Sequence, residues 1–81
     1  MRRLIYSPAA LKSLARMQPK RSAAIVAKLE AYAGGAVVDI RKLKGNDLYR
    51  IRVGGDRVII DDKGVVIMVI DAGPRGGIYK D

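Results

Sequence analysis

Two residue types that carry much of protein chemistry are missing from this 81-residue sequence, which has no cysteine and no histidine. Without cysteine there is no disulfide framework, no thiolate nucleophile and no thiolate metal ligand. Without histidine, the usual nitrogen ligand of zinc and the side chain that titrates near neutrality are absent as well. We therefore expect no metal and no other cofactor, and any catalysis must rely on other groups.

Long apolar runs and negative charge are also scarce. No apolar run approaches the roughly 20 residues of a membrane-spanning helix, and no charged segment followed by a long apolar run opens the chain. Eight acidic residues face 16 lysines and arginines, which gives a formal net charge of +8. We expect a single cytoplasmic domain over residues 1–81 without a membrane partner, and the charge favours a polyanion such as nucleic acid.

The basic residues are concentrated in the middle of the chain rather than spread evenly. Residues 39–57 contain the basic residues Arg41, Lys42, Lys44, Arg50, Arg52 and Arg57, but only the acidic residues Asp39, Asp47 and Asp56. A charge that served solubility alone has no reason to cluster in this way. The concentration favours a binding surface.

Residues 49–53 alternate between apolar and basic side chains, which predicts a strand with one apolar and one basic face. Gly54 and Gly55 are typical of a two-residue hairpin turn. This turn places Arg52 directly opposite Arg57, where like charges destabilise a sheet, so the pair indicates either a solvated edge or an anion site. The other pairs of the predicted register are Val53 with Asp56, Ile51 with Val58 and Tyr49 with Ile60.

Residues 65–70 are apolar on both faces, which is typical of an interior strand. We expect the first strand, residues 2–6, to pair with it and residues 48–53 to lie at the sheet edge. The predicted core face carries Ile51, Val53, Val58, Ile60, Val65, Ile67 and Val69. The predicted basic face carries Arg50, Arg52, Arg57, Ile59, Val66, Met68 and Ile70.

Two helices are predicted between the first strand and the others. Ser7 and Pro8 form a typical helix start, since serine caps the helix and proline fits its first turn. Gln18 and Pro19 separate this helix from a second, which ends at two glycines, Gly34 and Gly35. The predicted fold is α+β, with the order β-α-α-β-β-β and a helical hairpin packed on a four-stranded, mainly antiparallel twisted sheet.

Five residues stand out as candidates for chemistry: Arg50, Arg52, Arg57, Arg75 and Tyr79. Arginine is always charged, and its planar set of donors fits phosphate, so several arginines on one face predict a phosphate-binding surface. The glycines around Arg75 allow the backbone to approach a ligand closely. From the pattern alone, Tyr79 is either a packing residue or a hydroxyl that exchanges a proton.

The ordered motifs SPAALKSL, KLKG, YRIRVGGDRVII and AGPRGGIY resemble the RelE/ParE toxin superfamily, and more closely its RelE-type branch of ribosome-dependent mRNA interferases. The resemblance covers nearly the whole chain. It implies a toxin of a type II toxin–antitoxin system, an endoribonuclease that cleaves mRNA in the ribosomal A site. It also implies a cognate antitoxin. An acidic antitoxin that folds on binding can cover the arginines together with the apolar Ile59, Val66 and Met68 on the same face.

The resemblance also assigns roles to residues. It implies that Arg57 and Arg75 hold the scissile phosphate, and that Tyr79 accepts a proton or stacks on a base. The RNA-binding residues that we predict are Arg50 and Arg52, which match the family's basic strand, together with Lys42 and Lys44. Two departures weaken the match: Asp56 replaces an aromatic residue beside Arg57, and glycines 76 and 77 replace charged residues.

Two other functions are compatible with the same residues. The ParE-type branch shares the fold and poisons DNA gyrase through protein contacts, although its members commonly lack the basic set found here. A non-catalytic module that binds RNA or an antitoxin is the third reading, and Asp56 and the plain glycine tail favour it.

Overall fold

The computed structural model describes residues 2–74 and contains two helices and one five-stranded mixed sheet. In chain order the elements are β1 (Arg3–Tyr6), α1 (Pro8–Arg16), α2 (Pro19–Ala33), β2 (Ile40–Lys42), β3 (Tyr49–Val53), β4 (Asp56–Asp62) and β5 (Val66–Pro74). In space the strand order is β1-β5-β4-β3-β2. β1 runs parallel to β5, and the other neighbours are antiparallel. The α+β class, the interior position of the last strand and its pairing with the first are thus confirmed.

The short strand β2 is the difference from the predicted four-stranded sheet. It has three residues, too few for an alternating pattern to be recognised, and it pairs with β3 through Ile40 with Ile51 and Arg41 with Arg50. The prediction that β3 lies at the sheet edge is therefore wrong. β2 occupies that edge, and β1 occupies the other.

Both helices begin and end at the predicted signals. The Ser7 hydroxyl accepts a hydrogen bond from the Ala10 amide at 3.0 Å and donates one to the Ile70 carbonyl at 2.6 Å. It therefore caps α1 and ties the start of that helix to β5. α2 begins at Pro19 and ends at Ala33, just before Gly34. Neither helix within residues 2–74 has the length and apolarity that a membrane crossing requires.

The core lies between the two helices and one face of the sheet. Its buried members are Ala10, Ile25, Leu29, Ala33, Ile51, Val53, Val58, Ile60, Ile67, Val69 and Ala72. The predicted core face is confirmed except for Val65, which is 74% exposed because β5 starts one residue later. Ala72 joins the core because Ile59 pairs with Asp71 while Ile60 pairs with Val69, so Ile70 is an extra residue that reverses the alternation of β5.

Ile59 does not lie exposed on the basic face, as predicted, but is fully buried. Its strand is central, and its neighbours in the register are Arg50 on β3 and Asp71 on β5. A neighbouring arginine such as Arg50 can cover part of such a residue with its aliphatic stem. Val66 and Met68, by contrast, are half-buried and present part of their surface.

A polar cluster joins the end of β4 to α2 and the N-terminal segment. One carboxylate oxygen of Asp62 accepts hydrogen bonds from Arg2 at 2.6 Å and from the Tyr32 hydroxyl at 2.5 Å. The Arg2 guanidinium also lies 4.8 Å from the centre of the Tyr32 ring. Burial raises the pKa of Asp62, but the hydrogen bonds from Tyr32, Gly64 and Arg2 outweigh burial and hold that pKa below its ordinary value.

We expect Asp62→Asn to reduce the free energy of unfolding at pH 7 by about 1–2 kcal/mol. The folded-state pKa lies below the unfolded value of about 3.9, so the contribution of the carboxylate is present above about pH 4 and is lost as the pH falls through the folded pKa. The difference between wild type and variant should therefore shrink in acid. Urea denaturation at several pH values measures it, with the exposed Asp47→Asn as control. A difference that does not change with pH would contradict this account.

Candidate nucleic-acid interface

The hairpin of β3 and β4 has the register that the sequence predicts. Tyr49 pairs with Ile60, Ile51 with Val58, Arg52 with Arg57 and Val53 with Asp56. The turn between them depends on Gly54, whose φ of +59° is a conformation that side chains with a Cβ rarely adopt. The turn thus holds Arg52 and Arg57 directly opposite each other.

Four arginines lie together on the sheet face opposite the helices. Arg52 pairs with Arg57, and two residues along β3, Arg50 pairs with Arg41 of β2. Directly opposite side chains in an antiparallel pair have Cβ atoms about 5 Å apart. We call these residues, Arg41, Arg50, Arg52 and Arg57, the arginine face. It carries a concentration of positive charge over three neighbouring strands.

The four arginines differ in exposure. Arg50 is 4% exposed and Arg57 is 9% exposed, whereas Arg41 and Arg52 lie open to solvent. Burial lowers the pKa of the Arg50 guanidinium, and the charges of Arg57, Arg52 and Arg41 lower it further, against the opposite effect of Asp39. Arginine starts so far above neutrality that Arg50 keeps its charge. The fold therefore holds a charge in a place that disfavours it, and an anion bound there would relieve the repulsion.

Asp56, which the sequence places beside Arg57, is directed to the helix side of the sheet. It is 5% exposed, and its carboxylate accepts two hydrogen bonds from Arg21 of α2, one from Nε at 3.0 Å and one from Nη2. Successive residues of a strand point to opposite faces, so Arg57 lies on the arginine face. Arg21 of α2 thus neutralises the charge of Asp56.

The two lysines predicted to bind RNA are placed apart from this face. Lys42 pairs with Tyr49, which packs against the core, so Lys42 belongs to the helix side of the sheet. Its ammonium group lies 3.7 Å from the carboxylate of Asp47, and both side chains are exposed. Lys44 lies in the exposed turn that follows β2. The structure brings Arg50, Arg52 and Arg57 together and does not add these lysines to them.

Arg41 is the member of the arginine face that was missed as a site residue in the sequence. The signal that identifies it is the register of residues 40–42 against residues 49–51, which places Arg41 opposite Arg50. Without the strand β2 that register cannot be anticipated, so Arg41 counts only as one basic residue among several.

Arg75 and Tyr79 lie outside the described residues. β5 ends at Pro74, which pairs with Asp56, and Gly73 pairs with Arg57. The last described residues of the chain therefore run beside the start of β4. Within residues 2–74 no group of three or more acidic side chains could hold a metal ion.

The fold is similar to solved RelE toxins over nearly the whole chain. The RelE–RelB complex of Pyrococcus horikoshii is 27% identical with a TM-score of 0.76, covering 95% of this chain and 98% of that one. The complex of Methanococcus jannaschii is 26% identical with a TM-score of 0.75, covering 94% and 95%. The Escherichia coli RelBE complex is 26% identical with a TM-score of 0.73, covering 91% of this chain and 96% of that one. The chain thus matches RelE toxins of the RelE/ParE superfamily in structure over nearly its whole length.

Other comparisons of this RelE-like chain are less direct. The YoeB dimer of Staphylococcus aureus is 18% identical with a TM-score of 0.71, which shows a shared fold. No protein-family model matches the sequence, and a comparison with curated proteins finds no match. The structural comparison thus shows a match to RelE toxins, the family whose motifs the sequence resembles.

Proposed function

We propose that this RelE-like protein is the toxin of a type II toxin–antitoxin system and cleaves mRNA in the ribosomal A site. The observation that carries the proposal is the arginine face, with Arg52 directly opposite Arg57 and the buried Arg50 beside them. A fold tolerates such repulsion where a polyanion is to be bound. The similarity to RelE toxins supports the same reading.

Cleavage of RNA at its own 2′-hydroxyl requires deprotonation of that group, in-line attack on the adjacent phosphate and stabilisation of the charge that develops. In the proposed mechanism Arg57 and Arg75 hold the scissile phosphate and stabilise this charge. Arg50 and Arg52 position the RNA strand. Because Arg50, Arg52 and Arg57 are held in place by the sheet before RNA binds, these three need little reorganisation during the reaction.

The proposed proton acceptor or stacking platform is Tyr79. A tyrosine has an ordinary pKa of about 10, and nearby positive charges lower the pKa of a phenol. The sequence contains no histidine to serve instead. The chemistry then depends mainly on charge and positioning, and we expect the ribosome to supply the geometry of the substrate.

The proposed partner besides the ribosome is an antitoxin. RelE of Pyrococcus horikoshii, Methanococcus jannaschii and Escherichia coli has been crystallised with RelB. On the sheet side opposite the helices, Ile5 is 40% exposed and its register partner Met68 is half-buried. An acidic segment with apolar residues, folding as it binds, can cover both these side chains and the arginine face.

Primer extension on translating ribosomes tests the proposal. The purified protein is added to ribosomes that carry a defined mRNA, and the 5′ ends are mapped beside an Arg75→Ala variant that melts at the same temperature. We expect cuts within the A-site codon for the wild type, weaker cuts for the variant and little cleavage of the same mRNA without ribosomes.

Two results would count against this function. Equally strong cleavage of free RNA would contradict the dependence on the ribosome. An absence of cuts with folded protein would overturn the nuclease reading, and a supercoiling assay with purified gyrase would then distinguish a gyrase poison from a binding module without catalytic activity.

A further inference from the structure

We infer that Arg41 is an additional RNA-positioning residue, which extends the arginine face to the edge of the sheet and binds a phosphate next to the one held by Arg52 and Arg57. The inference rests on the proposed function. It concerns the length of the RNA contact, and it assigns Arg41 no part in the chemical step.

The register of β2 carries the first part of the argument. Arg41 pairs with Arg50, and the neighbouring pair of Ile40 and Ile51 belongs to the helix side, so Arg41 and Arg50 share the opposite side. Because β2 is the edge strand, no further strand formed by residues 2–74 lies beyond Arg41. Its side chain is exposed and accessible to a ligand that lies across the sheet.

The charges around Arg41 carry the second part. Arg41 forms no ion pair within residues 2–74, and its partner in the register is another arginine. The Arg52 amide donates a hydrogen bond to the Asp39 carbonyl at 2.9 Å, which extends the ladder by one residue and places Asp39 beside Arg52. Asp39, the residue before β2, therefore lies opposite Arg52, and the positive charge of Arg41 is left for a ligand.

The spacing of the two arginine pairs fits a strand with several phosphates. Arg50 and Arg52 are two residues apart on β3, a separation of about 7 Å along the strand. One pair, Arg52 with Arg57, is adjacent to the hairpin turn, and the other, Arg41 with Arg50, is farther from it. An extended RNA strand that binds the first pair can place a neighbouring phosphate at the second.

The test is the salt dependence of binding to a short, fluorescently labelled 2′-O-methyl RNA, which has no 2′-hydroxyl to react. The logarithm of the binding constant falls linearly with the logarithm of the salt concentration. For a single strand, each lost phosphate contact makes this slope less steep by about 0.7. We expect Arg41→Gln to reduce the slope by this amount and to weaken binding about three- to tenfold at low salt. Arg41→Lys, which keeps the charge, should restore the slope. Arg3→Gln, an exposed arginine on β1, is the matched control and should change neither quantity.

The outcomes separate this inference from the proposed function. An unchanged slope for Arg41→Gln, together with a reduced slope for Arg52→Gln, would overturn the role of Arg41 and leave the proposed function intact. The protein could instead bind RNA with the expected slopes but not cut mRNA on ribosomes. This result would overturn the nuclease function and support the phosphate contact of Arg41. If the wild type does not bind the RNA, the inference is overturned.

Discussion

Replacing Arg50 with methionine is expected to lower mRNA cleavage on ribosomes by at least about 100-fold and to raise the free energy of unfolding. The two effects have one cause. Arg50 holds a positive charge at a site where only 4% of the residue is exposed and where three other arginines act on it. Methionine keeps an unbranched apolar side chain at this site and removes the charge.

The direction of the stability change follows from the pKa of Arg50, which is lower in the folded protein than its ordinary value. A lowered pKa means that the protonated guanidinium is less favourable in the folded state than in the unfolded state. The cost is present at every pH below the folded-state pKa, and so in full at neutral pH. A side chain that fills the site without charge does not have this cost.

The measurement pairs urea denaturation with primer extension, using Arg3→Met as the matched control. Arg3 is an exposed arginine at the start of β1, on the opposite edge strand of the sheet from Arg41. Arg3→Met should leave stability within about 0.5 kcal/mol and cleavage unchanged. If Arg50→Met were both less stable and fully active, Arg50 would have a structural role in place of the proposed one.

The ion pair between α2 and the start of β4 leads to the second large prediction, a loss in the free energy of unfolding for Arg21→Leu that exceeds the loss for the control variant. Asp56 is 5% exposed and accepts two hydrogen bonds from Arg21, whose own side chain is 42% exposed. Removing Arg21 leaves the buried carboxylate of Asp56 without its cation. The cost of this unpaired charge is larger than the stability that the intact ion pair contributes.

The double variant Arg21→Leu with Asp56→Val distinguishes a buried-charge effect from a loss of packing. Removing both charges should recover most of the lost stability, because no buried carboxylate remains. Urea denaturation of wild type, both single variants and the double variant measures the coupling. Arg16→Leu, an exposed arginine in the last turn of α1, is the control and should cost less than about 1 kcal/mol. Equal losses in the double variant and in Arg21→Leu would contradict a buried-charge effect.

Local patterns predicted the hairpin and the helix ends well. Gly54 determines the turn, and the turn determines that Arg52 faces Arg57, so the centre of the arginine face could be derived from neighbouring residues. Ser7 and Pro8 in the same way predict where α1 begins. Each of these features depends on interactions within a few positions of the chain or across one tight turn.

Features that depend on distant parts of the chain were not predicted. β2 is too short for a period to be read, and its pairing with β3 decides both the edge of the sheet and the place of Arg41. Arg21 and Asp56 are 35 positions apart, so their ion pair could not be inferred from spacing. Lys42 and Arg41 are adjacent in sequence, yet the pleat of β2 sends them to opposite sides, which a count of basic residues cannot show.

The parallel pairing of β1 with β5 determines when during synthesis the fold can be completed. β1 leaves the ribosome before β5, its partner and the last strand of residues 2–74, and the Ser7 hydroxyl bonds to the Ile70 carbonyl across 63 positions. Contacts between such distant positions form slowly, because a large loop must close before they contribute. In a nascent chain without residues 66–74, β1 has no strand to pair with, and β4 lacks its neighbour β5. The complete sheet therefore forms only after translation has passed β5.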